Sequence, residues 1–136
     1  MENWTDRTEL LLGKDKMQRL RNAHILVVGV GGVGAYAAEM LCRAGVGEMT
    51  LIDADNVQPT NINRQLPATH ATVGRSKTEV LAERFRDINP KIKLIFININ
   101  FNFKTFSHKA AFFQKSILKF YINIHFLSIV KTYKKT

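Results

Sequence analysis

A glycine-rich turn between an apolar run and a helical pattern most constrains how this chain can fold. The turn lies in HILVVGVGGVGAYAAEMLCRAG, residues 24–45, and its glycines are Gly29, Gly31, Gly32 and Gly34. HILVVG predicts a buried strand because it is short, β-branched and bounded by glycine. Residues 32–44 predict a helix that ends at Gly45. A strand, a G-x-G-x-x-G turn and a helix in this order are typical of nucleotide-binding α/β units.

The chemistry of such a turn favours a phosphate ligand. Glycine permits the tight turn, close approach of the backbone to phosphate oxygens and close packing of helix on strand. The helix that follows directs its free N–H groups toward an anion. These residues fit the pyrophosphate of NAD or FAD and the triphosphate of ATP equally well. Asp53, which ends the next predicted strand at 48–53, would accept hydrogen bonds from ribose hydroxyls of either nucleotide.

The order of the remaining elements predicts the fold class. Residues 6–22 predict two short helices or one interrupted helix, and a long polar connection follows the second strand. Ser76 and Glu79 predict a capping box for a helix that stops before Pro90. KIKLIFI, residues 91–97, predicts a third strand. The chain is therefore expected to be α/β, with the N-terminal half of a Rossmann-like doubly wound parallel sheet.

The last third of the chain has a different composition. All eight glycines and all three prolines precede residue 91, and the net charge of +9 arises from nine lysines after residue 90. The basic charge is thus a property of the tail, and it does not indicate a nucleic-acid-binding face. We predict a partial nucleotide-binding domain at 1–93 and a non-native-looking, low-complexity tail at 94–136. The tail is interpreted as the product of a frameshift or a wrongly assigned gene end, with a genuine extension as the alternative.

Cysteine and hydropathy patterns bear on localisation. Cys42 is the only cysteine, so an intrachain disulfide is excluded and a reducing, cytoplasmic setting is expected. The N-terminus lacks the pattern of a signal peptide. FYINIHFLSIV is far shorter than the roughly 20 residues of a membrane-spanning helix, so no membrane association is expected. No histidine has a partner at metal-ligand spacing, and no residue is assigned as a metal ligand.

The polar connection and the start of the next helix favour ATP over a dinucleotide. A site that stabilises departing pyrophosphate requires cationic donors where negative charge grows, whereas a dinucleotide-binding domain has no reason for them. The sequences PTNINRQ and GRSK supply Asn61, Arg64, Gln65 and Lys77. Each residue alone is more typical of a solvated surface, but the set beside the glycine turn favours ATP.

At this point the chain resembles a known family. VVGVGGVG, AGVGEMTLIDADNV and TNINRQLPATHATVGRSKTEVLAERFRDINP are similar to the ThiF/MoeB/HesA branch of the ubiquitin-activating-enzyme-like superfamily, over residues 5–93. RTELLLGKDKMQRLRNAHILVVGVGGVG and TNINRQ most resemble the tRNA threonylcarbamoyladenosine dehydratases. The resemblance implies that ATP and Mg²⁺ activate the carboxylate of the threonylcarbamoyl group on a tRNA adenosine. The adenylated intermediate then cyclises, with a net loss of water.

The resemblance also implies residue roles and a homodimer. Phosphates would be cradled by Gly29, Gly31, Gly32 and Gly34, and Asp53 would bind ribose. Contacts to phosphates and metal would come from Asn61, Arg64, Gln65 and Lys77. The implied catalytic residues are Arg64, Lys77 and Arg7. Arg7 would reach across the homodimer into the partner's ATP site, or would be an exposed helix arginine.

The sequence departs from the family in its later part. No acidic residue follows Asp87, so the family's later metal-binding aspartate and its substrate-binding half have no counterpart, and we expect an incomplete chain with little turnover. Three alternative functions stay open. They are a sulfur-carrier-protein adenylyltransferase, whose partner is a small protein with a C-terminal diglycine, an NAD-binding Rossmann oxidoreductase, and an inactive nucleotide-binding remnant.

Overall fold

The structure, a computed structural model, describes residues 3–98, which form helices and three strands. In order these are α1 (Asp6–Leu12), α2 (Lys14–Arg21), β1 (His24–Val28), α3 (Gly34–Ala44), β2 (Glu48–Ile52), a 3₁₀ helix (Pro59–Asn61), α4 (Lys77–Ile88) and β3 (Lys93–Ile97). The predicted domain boundary at residue 93 falls at the first residue of β3. Residues 99–136 of the predicted tail lie outside the described residues.

The three strands form one parallel sheet in the order β1-β2-β3. Their carboxyl ends are aligned, because Val28 pairs with Ile52 and Ile52 pairs with Ile97. Helices α3 and α4 connect successive strands and contact each other, as expected for crossover helices that share a face of the sheet. The predicted α/β fold, with the first half of a Rossmann-like parallel sheet, is confirmed.

The core lies between this sheet and the two crossover helices. Val80, Leu81 and Phe85 of α4 are buried. Cys42 is also buried, and its thiol lies 3.5 Å from the carbonyl oxygen of Phe85, to which it donates. Burial raises the pKa of the Cys42 thiol to about 11. The cysteine is therefore a core residue.

Glycines lie at the helix boundaries that the sequence predicts. Gly13, with φ +80°, separates α1 from α2, which confirms the alternative of two short helices. Gly45 ends α3 in the left-handed conformation, with φ +96°. Helix α3 begins at Gly34 and not at residue 32, because Gly31–Val33 form a turn before it. The glycine turn is therefore longer than predicted.

The predicted capping box at the start of α4 is wrong. The Ser76 side chain makes no capping hydrogen bond, and its Oγ lies 3.0 Å from Thr78 Oγ1. Helix α4 nevertheless begins directly after Ser76, because the Lys77 backbone N–H donates to the Asp55 carbonyl at 3.1 Å. An antiparallel bridge between Asn56 and Ser76 adjoins this bond. The start of α4 is thus tied to the segment that leaves β2.

Glu39 joins α3 to α4 through two ion pairs. Its carboxylate accepts from Arg84 Nε at 2.6 Å and from Arg43 Nη2 at 2.8 Å. The Glu39 side chain is 6% exposed, whereas the Arg84 and Arg43 side chains are 46% and 49% exposed. The hydrogen bond from Arg84 holds the pKa of Glu39 below its ordinary value of 4.5.

We expect Glu39→Gln to lower the free energy of unfolding by about 1–2 kcal/mol at neutral pH. The loss is modest because both arginines are half-exposed and recover hydration. A lowered folded-state pKa makes this contribution fully present above pH 4.5 and progressively lost as the pH falls below it. Urea unfolding across this range should therefore show wild type and variant converging on acidification. Exposed Glu79→Gln is the control, and a gap independent of pH would contradict the assignment.

Candidate nucleotide-binding site

The glycine turn begins where β1 ends, at the carboxyl edge of the sheet. Gly29 has φ +82°, and its N–H donates to the Ile52 carbonyl at 2.8 Å, which extends the pairing of β1 with β2 by one residue. A Cβ on Gly34 would lie 1.9 Å from the Gly29 carbonyl oxygen. The first residue of α3 therefore packs directly on the end of the strand, and glycine is required there.

Gly31 and Gly32 lie between these two tight contacts, and a Cβ on either would make only ordinary van der Waals contacts. A Cβ on Gly31 would lie 3.8 Å from Gln65 Nε2, and one on Gly32 would lie 3.8 Å from the Arg64 carbonyl oxygen. Neither has a positive φ, so their conformation alone does not require glycine. An accessible backbone at the start of a helix fits a phosphate group, which a Cβ would push away.

Asp53 links the glycine turn to the end of β2. Its Oδ2 accepts from the Val30 N–H at 2.7 Å, and its Oδ1 accepts from the Asp55 N–H at 2.8 Å. Each carboxylate oxygen has a second lone pair, and Asp53 is half-buried. Asp53 therefore shapes the turn and can still accept hydrogen bonds from ribose hydroxyls.

The polar connection after β2 folds back over the glycine turn. Asn61 is buried, and its Oδ1 accepts from the Gln58 N–H at 3.0 Å. The Asn61 carbonyl accepts from the N–H groups of Arg64 and Gln65 at 3.1 and 2.9 Å. These bonds close the turn that brings Arg64 and Gln65 beside Gly32 and Gly31. The Asn61 amide nitrogen makes no hydrogen bond within residues 3–98 and is available to a ligand.

Arg64 and Gln65 both carry unused hydrogen-bonding capacity. Arg64 is exposed, and its Nη1 donates to the Thr60 carbonyl at 3.0 Å and to Asn63 Oδ1 at 2.8 Å. Within residues 3–98 it pairs with no carboxylate. Gln65 Oε1 is buried and has no partner there. Buried polar atoms normally have partners, so this one indicates a place for a ligand or a water.

Lys77 contributes a buried cation at the start of α4. Its side chain is 5% exposed, and Nζ lies 2.7 Å from Asp55 Oδ2. Asp55 is in turn bonded through its N–H to Asp53. The buried ammonium is therefore anchored at the same edge of the sheet as the glycine turn. Asp55 is not identified from the sequence as the partner of Lys77, which lies 22 residues away.

Arg7 is not brought to the glycine turn of its own chain. Thr5, just before α1, contacts the far end of α3, since a Cβ on Gly45 would lie 3.2 Å from Thr5 Cγ2. An eleven-residue helix such as α3 is roughly 16 Å long. Within one chain, α1 therefore starts a helix length away from the candidate site, and action across a dimer stays a prediction.

Neither a metal-ligand cluster nor a membrane-spanning helix is found within the described residues. Residues 3–98 contain no group of three or more His, Cys, Asp or Glu that could hold a metal ion. Over the same range, every helix is too short or too polar to cross a membrane.

Comparison with known proteins identifies relatives of this chain. The family model that matches it is that of the ThiF family, over residues 5–118. The tRNA threonylcarbamoyladenosine dehydratase of Haemophilus influenzae is 57% identical over 77 residues, which are 57% of this chain and 30% of that protein. The molybdopterin-synthase adenylyltransferase of Salmonella typhimurium is 42% identical over 81 residues, 60% of this chain and 32% of that protein.

A solved structure supports the same relationship. The crystal structure of Escherichia coli tRNA N6-threonylcarbamoyladenosine dehydratase in complex with ATP matches with a TM-score of 0.75 and 42% identity. The match covers 79% of this chain and 44% of that one. The chain thus spans between 30% and 44% of the length of these three relatives.

Proposed function

This chain belongs to the ThiF family, and we propose that it forms the ATP-binding part of an enzyme that adenylates a carboxylate. One observation carries the proposal: the connection after β2 folds back and places Arg64 and Gln65 over Gly31 and Gly32. The Gln65 amide nitrogen and the Arg64 main chain thereby adjoin the two glycines, and the exposed Arg64 guanidinium pairs with no carboxylate within residues 3–98. Lys77 lies at the same edge through its contact with Asp55.

The proposed chemistry is displacement of pyrophosphate from ATP by a carboxylate oxygen. The oxygen attacks the α-phosphorus, the bond between the α-phosphorus and its bridging oxygen breaks, and negative charge grows on the pyrophosphate. Backbone N–H groups at the start of α3 would bind phosphate oxygens, and Arg64 and Lys77 would neutralise the growing charge. Such a reaction depends chiefly on alignment and charge stabilisation. Asp53 would hold the ribose.

The proposed substrate is the threonylcarbamoyl group on a tRNA adenosine. This is the function in the name of the relative at 57% identity, whereas the molybdopterin-synthase adenylyltransferase is 42% identical. The adenylated carboxylate would cyclise, and AMP would leave. A cytoplasmic location and a homodimer in which Arg7 reaches the partner's site are further parts of the proposal. Adenylation of a sulfur-carrier protein is the second candidate, supported by the molybdopterin-pathway relative.

Magnesium would enter this site with ATP. Mg²⁺ in such sites is held by substrate phosphates with one or two carboxylates, and it neutralises phosphate charge. The donor set fits this mode, because the Asp53 carboxylate adjoins the turn while residues 3–98 contain no dedicated metal cluster. The residues of the chain would thus bind the phosphates and leave most of the cation's ligands to them.

A chimera tests the proposed function. Residues 1–97 of this chain are joined to the remaining part of the Haemophilus influenzae dehydratase, and ATP–pyrophosphate exchange is measured. We expect exchange that requires tRNA carrying threonylcarbamoyladenosine and is absent with unmodified tRNA. Exchange that requires a sulfur-carrier protein with a C-terminal diglycine would support the second candidate. Tight binding of NAD without ATP binding would contradict both, and no exchange with any substrate would favour an inactive remnant.

Arg64→Ala is expected to weaken ATP binding by the 136-residue chain about 10- to 100-fold, the value of a hydrogen bond to a charged group. The fold should be unaffected, because the Arg64 side chain is exposed and bonds only to Thr60 and Asn63 within residues 3–98. Equilibrium dialysis with labelled ATP measures the affinity, and Arg19→Ala, an exposed arginine on α2, is the matched control. Equal affinities for wild type and Arg64→Ala would remove Arg64 from the site.

A further inference from the structure

The ion pair between Lys77 and Asp55 is strongly asymmetric. The Lys77 side chain is 5% exposed, whereas the Asp55 side chain is 68% exposed. Breaking the 2.7 Å contact would return the carboxylate to water with little movement, while the ammonium would stay inside the protein. A buried charge without a partner is strongly unfavourable. Lys77 therefore requires an anion beside Nζ in every state of the protein.

The position of Lys77 at the start of a helix further destabilises its ammonium when no anion lies beside it. Lys77 is the first residue of α4, where the helix dipole is positive and already disfavours a cation. Its backbone N–H donates to the Asp55 carbonyl at 3.1 Å, so the two residues are held together by main chain as well as by side chain. The Lys77 main chain consequently stays beside that of Asp55 even when the Asp55 side chain turns away.

The same ion pair is connected to the glycine turn by hydrogen bonds. The Asp55 N–H donates to Asp53 Oδ1, and Asp53 Oδ2 accepts from the Val30 N–H within the turn. The Asp55 carboxylate thus lies at the edge where the proposed function places phosphates. Carboxylate and phosphate oxygens make the same short, charge-assisted contact with an ammonium. One can therefore replace the other at Lys77 Nζ.

We propose that Asp55 is a positioning residue that occupies Lys77 in the absence of nucleotide and is displaced by a phosphate oxygen when ATP binds. The exchange conserves the ion pair of the buried ammonium and releases an exposed carboxylate to water. Asp55 therefore aligns Lys77 before binding and competes with the ligand for it. This inference rests on the proposed phosphate site and adds to it the residue that positions Lys77 before the nucleotide binds.

Asp55→Asn separates competition from a purely structural role. The variant keeps the shape of the side chain and removes its charge, so binding of inorganic pyrophosphate without divalent cations should become about tenfold tighter. A structural partner would instead leave the affinity unchanged or lower it. Isothermal titration calorimetry of the 136-residue chain measures the affinity. Asp87→Asn, an exposed acid near the end of α4, controls for the change in net charge.

A double-variant cycle identifies Lys77 as the group released. In a Lys77→Met background, Asp55→Asn should no longer tighten pyrophosphate binding, since there is no ammonium to release. The inference would be overturned if Asp55→Asn tightened pyrophosphate binding equally in both backgrounds, or if it failed to tighten binding in the chain that retains Lys77. Failure of both wild type and Asp55→Asn to bind pyrophosphate would overturn the phosphate site itself and the inference with it.

A measurement on the wild-type chain avoids any dependence on variant stability. The side-chain carboxyl ¹³C resonance of Asp55 should move toward the position of a solvent-exposed aspartate as pyrophosphate saturates the protein. A resonance that stays fixed at saturation would show that the Lys77–Asp55 contact persists, and would overturn displacement while leaving the phosphate site intact.

Discussion

Lys77→Met is expected to lower the rate of ATP–pyrophosphate exchange by the chimera about a thousandfold, the upper end of the loss for one preorganised donor. Methionine fills a similar volume but provides no positive charge where the pyrophosphate departs. The fold should persist, because an apolar side chain is well tolerated at a site that is 5% exposed, and the remaining Asp55 is 68% exposed and stays hydrated.

Lys91→Met is the matched control for this change. Lys91 is exposed and lies just before β3, so its loss alters net charge equally without touching the site. The exchange rate should be that of wild type. A Lys77→Met chimera that retained a wild-type rate and wild-type pyrophosphate affinity would exclude Lys77 from the reaction.

Gly34→Ala is expected to lower the free energy of unfolding by about 4 kcal/mol or more, an exceptional value for a single substitution. The new Cβ would lie 1.9 Å from the Gly29 carbonyl oxygen and 3.1 Å from its carbon. Both are backbone atoms at the end of β1, so no side chain can rotate to relieve the clash. Relief requires α3 to move away from the sheet, which opens the core around Val27 and Ala38.

Gly32→Ala provides the comparison two residues away. Its Cβ would be 3.8 Å from the nearest heavy atom, the Arg64 carbonyl oxygen, so the stability should be close to that of wild type. Urea unfolding of both variants measures the stability difference, and nucleotide binding should fail in Gly32→Ala although the protein is folded. Equal stability of the two variants would contradict the contact geometry at Gly34.

Most of the fold could be predicted because the strands are short apolar runs and the helices have clear periodicity. The β1, β2 and β3 patterns differ from their ends in the structure by one or two residues. The capping box failed for a physical reason: Ser76 lies where the segment after β2 pairs with the start of α4, and its hydroxyl faces Thr78. Local sequence does not contain that long-range pairing.

The residues of the candidate site could be predicted from the sequence, but the hydrogen bonds and ion pairs that join them could not. Gly31, Gly32, Arg64 and Gln65 could be grouped from residue chemistry, and the structure brings them together. The bond from Val30 to Asp53 joins residues 23 positions apart, and the pair of Lys77 with Asp55 joins residues 22 apart. Such contacts depend on how the connection after β2 closes over the sheet, and no local pattern encodes that closure.

The Asp53 carboxylate has a consequence for how far a glycine motif can be transplanted. It binds one N–H from the turn after β1 and one from the segment after β2, so the turn acquires its shape only when two successive strand–helix units are assembled. A fragment ending at Ala44 would carry every glycine of the motif and lack the carboxylate that sets them. The phosphate cradle is therefore not a portable module of strand, turn and helix but a property of neighbouring units held in register.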